Sequence, residues 1–128
     1  MTLKAPVQQA IAEIEASFSG HKIDVTEDGQ GGARVCVHDL HVGDQYLAPA
    51  SQVAFALTFQ YPEADVYPHF VIPRMTRLDA SALGPSFSDS SWGDVAATQV
   101  SRRSNNRIQD LETAVIKLHK VLAWIRSR

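Results

Sequence analysis

The sequence predicts an α+β fold: an N-terminal helix, a four-stranded antiparallel meander, a long irregular loop, and a C-terminal helix packed on the sheet. Three observations predict it. Apolar residues recur at helical spacing only near the two ends of the chain. Between them the period drops to two, in runs separated by short turns. Prolines then punctuate the centre, which forbids a helix there. With 128 residues, 45% apolar and 20% charged, the chain is sized for one hydrophobic core, so residues 1–128 read as a single domain.

The first helix is expected from Ala5 to Ser19. Val7, Ile11, Ile14 and Phe18 share one face, Pro6 suits the first turn and Gly20 suits the stop. From Lys22, Ile23 and Val25 alternate with Asp24 and Thr26, and Asp28-Gly29-Gln30-Gly31-Gly32 reads as a hairpin turn. Val35 and Val37 mark a second strand. Val53, Phe55, Leu57 and Phe59 mark one face of a third, with Ala54 and Ala56 leaving room on the other. Phe70-Val71-Ile72 forms a short fourth strand after Tyr61-Pro62 and Tyr67-Pro68. Met75 to Asn106 shows no sustained period and is expected to be irregular, a length that points to function. In the last helix Leu111, Val115, Leu118, Leu122 and Ile125 make the apolar stripe, widened by Ala114, Val121 and Trp124. Asp110 is its expected N-cap, and Lys120, Arg126 and Arg128 suit the C-terminal dipole.

The net charge of -2 hides an asymmetry. Residues 1–64 carry 3 basic and 8 acidic side chains, residues 65–128 carry 9 and 6, and Ser101–Arg128 alone carries 7 and 2. The C-terminal segment is therefore a basic pole, which suits an acidic partner surface or anionic lipid and reads as well as a solvated helix face. Nucleic acid is not an expected partner, because exposed aromatics do not interleave with these cations. No run approaches the ~18 apolar residues of a membrane span, so no membrane partner is expected. The N-terminus lacks an apolar signal core, and a cytoplasmic location is expected. The single cysteine, Cys36, excludes an internal disulfide and a cysteine zinc site.

The element order, with Phe59-Gln60-Tyr61-Pro62, Tyr67-Pro68 and Phe70-Val71-Ile72-Pro73, resembles the ubiquitin-conjugating enzyme superfamily and its RWD relatives. In that family the third strand runs into a Tyr-Pro turn, followed by further prolines and a short strand. The tail Gln99-Val100-Ser101-Arg102-Arg103-Ser104-Asn105 and the Lys117–Trp124 helix look like those of diverged bacterial members. The resemblance implies a His-Pro-Asn turn and a nucleophilic cysteine after the fourth strand. Arg74 to Trp92 holds neither, and Cys36 lies over thirty residues too early.

Two functions follow from the resemblance. One is a conjugating-enzyme-like protein of a bacterial pathway, working with a ubiquitin-like protein, its activating enzyme and a protein target, and transferring an acyl group through a serine oxyester or without a covalent intermediate. The other is a non-catalytic RWD-like binding module or a structural subunit. Neither needs a cofactor. Whether the chain is an enzyme stays open at the level of sequence. Ser86 and Ser88 fall two and four residues after Gly84, where the family's cysteine would lie. Ser101 and Ser104 bracket Arg102-Arg103, which suits an oxyanion or an acyl terminus. Ser86 and Ser88 read equally as solubilising loop residues with turn-forming hydroxyls, and Ser101 to Asn105 as helix-approach caps in a surface basic cluster.

His69 is a candidate base or orienting group near the serine loop, and reads more simply as a strand histidine with an ordinary hydrogen bond. Asn105, Trp92, Tyr61 and Tyr67 complete the candidate binding residues, Trp92 as a contact residue in a polar loop. His38, His41 and Asp44 are the only metal-like grouping, and without a distant third ligand they read as a polar strand end. His119 reads as solvated. Gly29-Gln30-Gly31-Gly32 lacks a following Lys-Ser/Thr and is no phosphate loop.

Overall fold

A computed structural model describes residues 3–104, 107–108 and 111–128. Its elements run α1 (Ala5–Ser17), β1 (Ile23–Glu27), β2 (Ala33–His41), β3 (Ala50–Leu57), β4 (His69–Ile72), β5 (Phe87–Trp92), β6 (Val95–Val100) and α2 (Ala114–Arg126). The fold class is α+β, as expected, but the sheet has six strands rather than four, in the order β1-β2-β3-β4-β6-β5 with every pairing antiparallel.

The first four strands form the meander that period-two alternation predicts. Val35 and Val37 on β2, Val53, Phe55 and Leu57 on β3, and Val71 on β4 are all fully buried. They meet Val7, Ala10, Ile11 and Ile14 of α1 and Leu118, Val121, Leu122 and Ile125 of α2 in one core. Burying such aliphatic side chains contributes about 1.5–3 kcal/mol each and sets the strand register. The turn after β1 is held by the Asp28 carboxylate, which accepts from the backbone N–H groups of Gln30 (2.7 Å) and Gly32 (3.0 Å). Phe59, expected on the core face, lies beyond the end of β3. It is half-exposed there, with the Lys4 ammonium 5.5 Å from its ring centroid.

The stretch expected to be irregular contains β5 and β6, a hairpin that adds two strands beside β4. Its turn is Gly93-Asp94, with Trp92 paired to Val95 and Gly93 at φ 58°. The alternation was illegible because β5 is an edge strand carrying Phe87, Asp89 and Ser91 on one face and Ser88, Ser90 and Trp92 on the other. Neither face is an apolar row. In β6 the buried side chains are Ala97, Thr98 and Val100, too small or polar to register as a hydrophobic period. Arg74 fastens the hairpin by donating to the carbonyls of Ala97 (3.4 Å) and Ser90 (3.1 Å), and the Thr98 hydroxyl accepts from the Met75 N–H at 2.8 Å.

Both helix boundaries differ from expectation by less than a turn or two. α1 ends at Ser17, and Phe18 caps it while stacking on His119 with ring centroids 4.7 Å apart. His119 is exposed yet not merely solvated, since it also shares a 2.8 Å hydrogen bond with Ser17. α2 begins at Ala114 with Thr113 at the N-cap, so Leu111 lies outside the helix and is 68% exposed. Asp110 lies outside the described residues. The Tyr46 hydroxyl donates to the Ile125 carbonyl at 2.8 Å and fixes the C-terminal end of α2.

Candidate functional site

Val100 ends β6 with its side chain in the core, and the next four residues run out of the sheet beside α2. A cleft of about 240 Å³ opens between them, lined by Arg102, Arg103 and Ser104 on one wall and Lys117, Lys120 and Trp124 on the other, with Glu112 at its edge. Arg102 lies over the Trp124 ring and Arg103 over the Tyr67 ring, each guanidinium carbon 4.7 Å from the ring centroid. Stacking of this kind holds a guanidinium flat while leaving its N–H edge free to donate.

Ser104 is the best-connected hydroxyl in the cleft. It donates to Glu112 at 2.5 Å and accepts from the Lys117 ammonium at 2.6 Å. Lys117 is buried and reaches Asp65 at 2.9 Å, and Asp65 also accepts from the Ser104 backbone N–H at 2.8 Å and pairs with Arg107 at 3.6 Å. Burial alone would push the Asp65 carboxyl up. The Ser104 N–H and the charges of Lys117 and Arg107 outweigh it and hold the carboxyl below its ordinary value. Glu112 is further offset by Lys120 at 3.6 Å. With both carboxylates engaged, Arg102 and Arg103 leave the cleft mouth cationic.

The other expected site residues scatter. Ser86 sits at φ 72° before β5, accepts a backbone hydrogen bond from Ser101 at 2.8 Å, and lines a second cavity beyond Trp124. Ser88 is exposed in β5 opposite Gln99, on the sheet face turned away from the helices, so it is remote from the cleft. Ser101 accepts from the Gln99 amide at 3.1 Å. Asn105 lies outside the described residues.

Three expectations are corrected outright. His69 is no base at a solvent-facing site: it is fully buried beside Phe55, ring centroids 5.3 Å apart, and neither ring nitrogen has a partner among the described residues. Burial first, then the nearby Lys117 charge, pull its pKa down to about 3, so it is neutral at ordinary pH. Tyr61 is not a contact residue either. It is buried, and its hydroxyl accepts from the first backbone N–H of α2 at 3.1 Å. Trp92 ends a strand rather than sitting in a polar loop. It packs on Phe70, with centroids 5.2 Å apart, and under the Arg34 guanidinium at 4.2 Å. Tyr67 alone of the expected aromatics touches a residue of the cleft, through Arg103 stacked over its ring.

Arg34 belongs to β2 and Trp92 to the far edge strand, so the sheet curls its uncovered face into a groove, which holds Cys36 and Gln52. Burial raises the Cys36 thiol to about 11, and it donates to the Gln52 side-chain oxygen at 3.4 Å. The only thiol is thus protonated and on the sheet face opposite the helix cleft. His38 pairs with Asp24 and His41 with Asp44, and no metal-sized grouping exists among the described residues. No helix there is long and apolar enough to cross a membrane.

Sequence reasoning missed Lys117, Glu112 and Asp65. Lys117 had a signal: it occupies an apolar position of the 114, 118, 121, 122, 125 stripe, where a cation must find a buried partner. Asp65 had none, because its proximity to Lys117 is a product of the fold. Compared with family models, curated proteins and solved structures, the chain matches none.

Proposed function

We propose that the chain is a ubiquitin-conjugating-enzyme-like scaffold of a protein-conjugation pathway, and that it holds the C-terminal tail of a ubiquitin-like protein in the cationic cleft beside α2. The observation that carries this reading is the cleft itself: Arg102, Arg103 and Lys120 converge on it, and its one lining carboxylate is already engaged. A terminal carboxylate suits such a cluster, because a guanidinium edge presents two parallel donors to its two oxygens. Two further features support it. The first helix, the β1–β4 meander and the C-terminal helix keep the order the resemblance implies, with Tyr61-Pro62 soon after β3, although the β5–β6 hairpin stands between β4 and α2. Both helices also pack on one face of the sheet.

Non-covalent holding is the better reading because the hydroxyl in the cleft is tied up. The Ser104 proton is directed at a carboxylate and its lone pair at an ammonium, an arrangement that pins the 101–104 segment to α2. The same geometry favours a second reading, in which Glu112 takes the Ser104 proton and Lys117 offsets the charge that develops on an acyl oxygen.

One experiment tests both. Binding of an intact bacterial ubiquitin-like protein is compared with that of a form lacking its last residues, using the wild type and Arg103→Glu. We expect tenfold or greater weakening from either change. Equal binding in all combinations overturns the holding role. With activating enzyme and ATP added, a hydroxylamine-sensitive adduct that vanishes in Ser104→Ala establishes the oxyester, and an adduct that survives in that variant refutes it.

A further inference from the structure

We propose that the cavity between residues 77–86 and the C-terminal end of α2 is a site for a doubly charged oxyanion of the phosphate class, carried on a small organic molecule. The cavity shares Arg102 and Trp124 with the cleft above, but the inference does not rest on what that cleft holds. It depends on Arg77 and Arg128, which do not line the Arg103–Ser104 cleft.

The cavity measures about 460 Å³, and Arg77, Arg102 and Arg128 stand around it with Ser86 and Trp124. Among the described residues no aspartate or glutamate lines it. Among the described residues, none of the three guanidiniums lies within ion-pairing distance of a carboxylate. Asp79 feels the Arg77 charge but accepts two hydrogen bonds from Ser81 instead. Three like charges with no carboxylate paired to them among the described residues repel one another, and a bound anion removes that repulsion.

The cations are also held in place. Arg102 and Arg128 each lie 4.7 Å from the Trp124 ring centroid, so their guanidinium carbons stand within twice that distance of one another. The indole is fixed by Phe87, stacked at 5.0 Å. Arg77 is fixed by donating to the Leu83 carbonyl at 3.0 Å. The Nε of Arg77 and the Nε1 of Trp124 are buried without partners among the described residues, two unspent donors on side chains that line the cavity.

A carboxylate would offset one of three positive charges, whereas a phosphate dianion offsets two and offers three oxygens to guanidinium edges. The volume falls within the range of small-molecule sites and exceeds what a bare phosphate fills, and Leu83 and Pro85 supply an apolar wall for the remainder.

The chain has two tryptophans, so Trp92→Phe leaves Trp124 as the only indole. In that background, phenyl phosphate, inorganic phosphate and benzoate are titrated at low salt, following Trp124 fluorescence and heat. Phenyl phosphate should bind saturably and at least tenfold more tightly than either of the others. Arg128→Gln, at an exposed side chain, and Arg77→Gln should each weaken it at least tenfold, with Arg103→Gln unchanged. Unfolding midpoints check that the variants fold. Absence of saturable binding, benzoate binding as well as phenyl phosphate, or full affinity in Arg128→Gln overturns the proposal. Inorganic phosphate binding as tightly as phenyl phosphate overturns the organic part of the assignment.

Discussion

Acidifying the protein from pH 8 to pH 5 should cost it about 2 kcal/mol through His69 alone. The ring is fully buried, its two nitrogens have no partners among the described residues, and its pKa is lowered from 6.5 to about 3. A histidine so depressed stays neutral in the folded state while the unfolded chain takes up a proton below 6.5. Its contribution is therefore whole above pH 6.5 and shrinks as pH falls toward 3, at up to about 1.4 kcal/mol per pH unit. At pH 5 the gap is 1.5 units below the unfolded value of 6.5, which gives the figure above. The charges facing the ring are Lys117 on α2, which opposes protonation, and Asp65, which favours it. Because the Asp65 carboxyl is itself held below 3.8, its own contribution is lost only below pH 4, outside the window. The assay is urea unfolding followed by circular dichroism, at pH 5 to 8, for the wild type and His69→Leu. The wild type should lose about 2 kcal/mol more than the variant across that range. At pH 8 the variant should be at least as stable, since no hydrogen bond is removed. Parallel pH profiles would refute the reasoning.

Two other outcomes follow from the same network of buried polar groups. Lys117→Met leaves the Asp65 carboxylate with Arg107 as its one charged partner beside the Ser104 N–H and should cost about 3 kcal/mol in a denaturant titration, with much of the loss recovered in the Asp65→Asn/Lys117→Met double variant. Tyr61→Phe removes the hydroxyl that accepts the first N–H of α2 and should lower stability by about 1 kcal/mol, leaving ligand binding at the Arg103 cleft unchanged.

Much of the fold was legible because the burial rule writes itself into spacing. Val53, Phe55 and Leu57 alternate since a strand turns every second side chain inward, and Leu118, Leu122 and Ile125 recur since a helix turns every third or fourth. The β5–β6 hairpin was not legible in that way. Its Gly93-Asp94 turn is a recognisable two-residue signal, but a serine-rich edge strand has no apolar face to alternate. The candidate site divides along the same line. Arg102, Arg103 and Ser104 are adjacent in sequence and remain together in the cleft, whereas Ser88, His69 and Tyr61, equally plausible by position, go to the open face or the core. Residue type named the chemistry available, and strand register decided which of it meets solvent.

The sequence by itself determined the α+β class, the two helices that close the core, the β1–β4 meander, and a basic C-terminal third. Local spacing and composition suffice for those, because each depends on which side of an element is apolar. Only the tertiary structure decided that Asp65 meets Lys117 and the Ser104 backbone, that Arg77 and Arg102 line one cavity with Arg128, and that Cys36 faces away from the helices. The Asp65 and Arg77 placements join residues far apart in the chain, and they are fixed by how the sheet curls and where α2 lands on it.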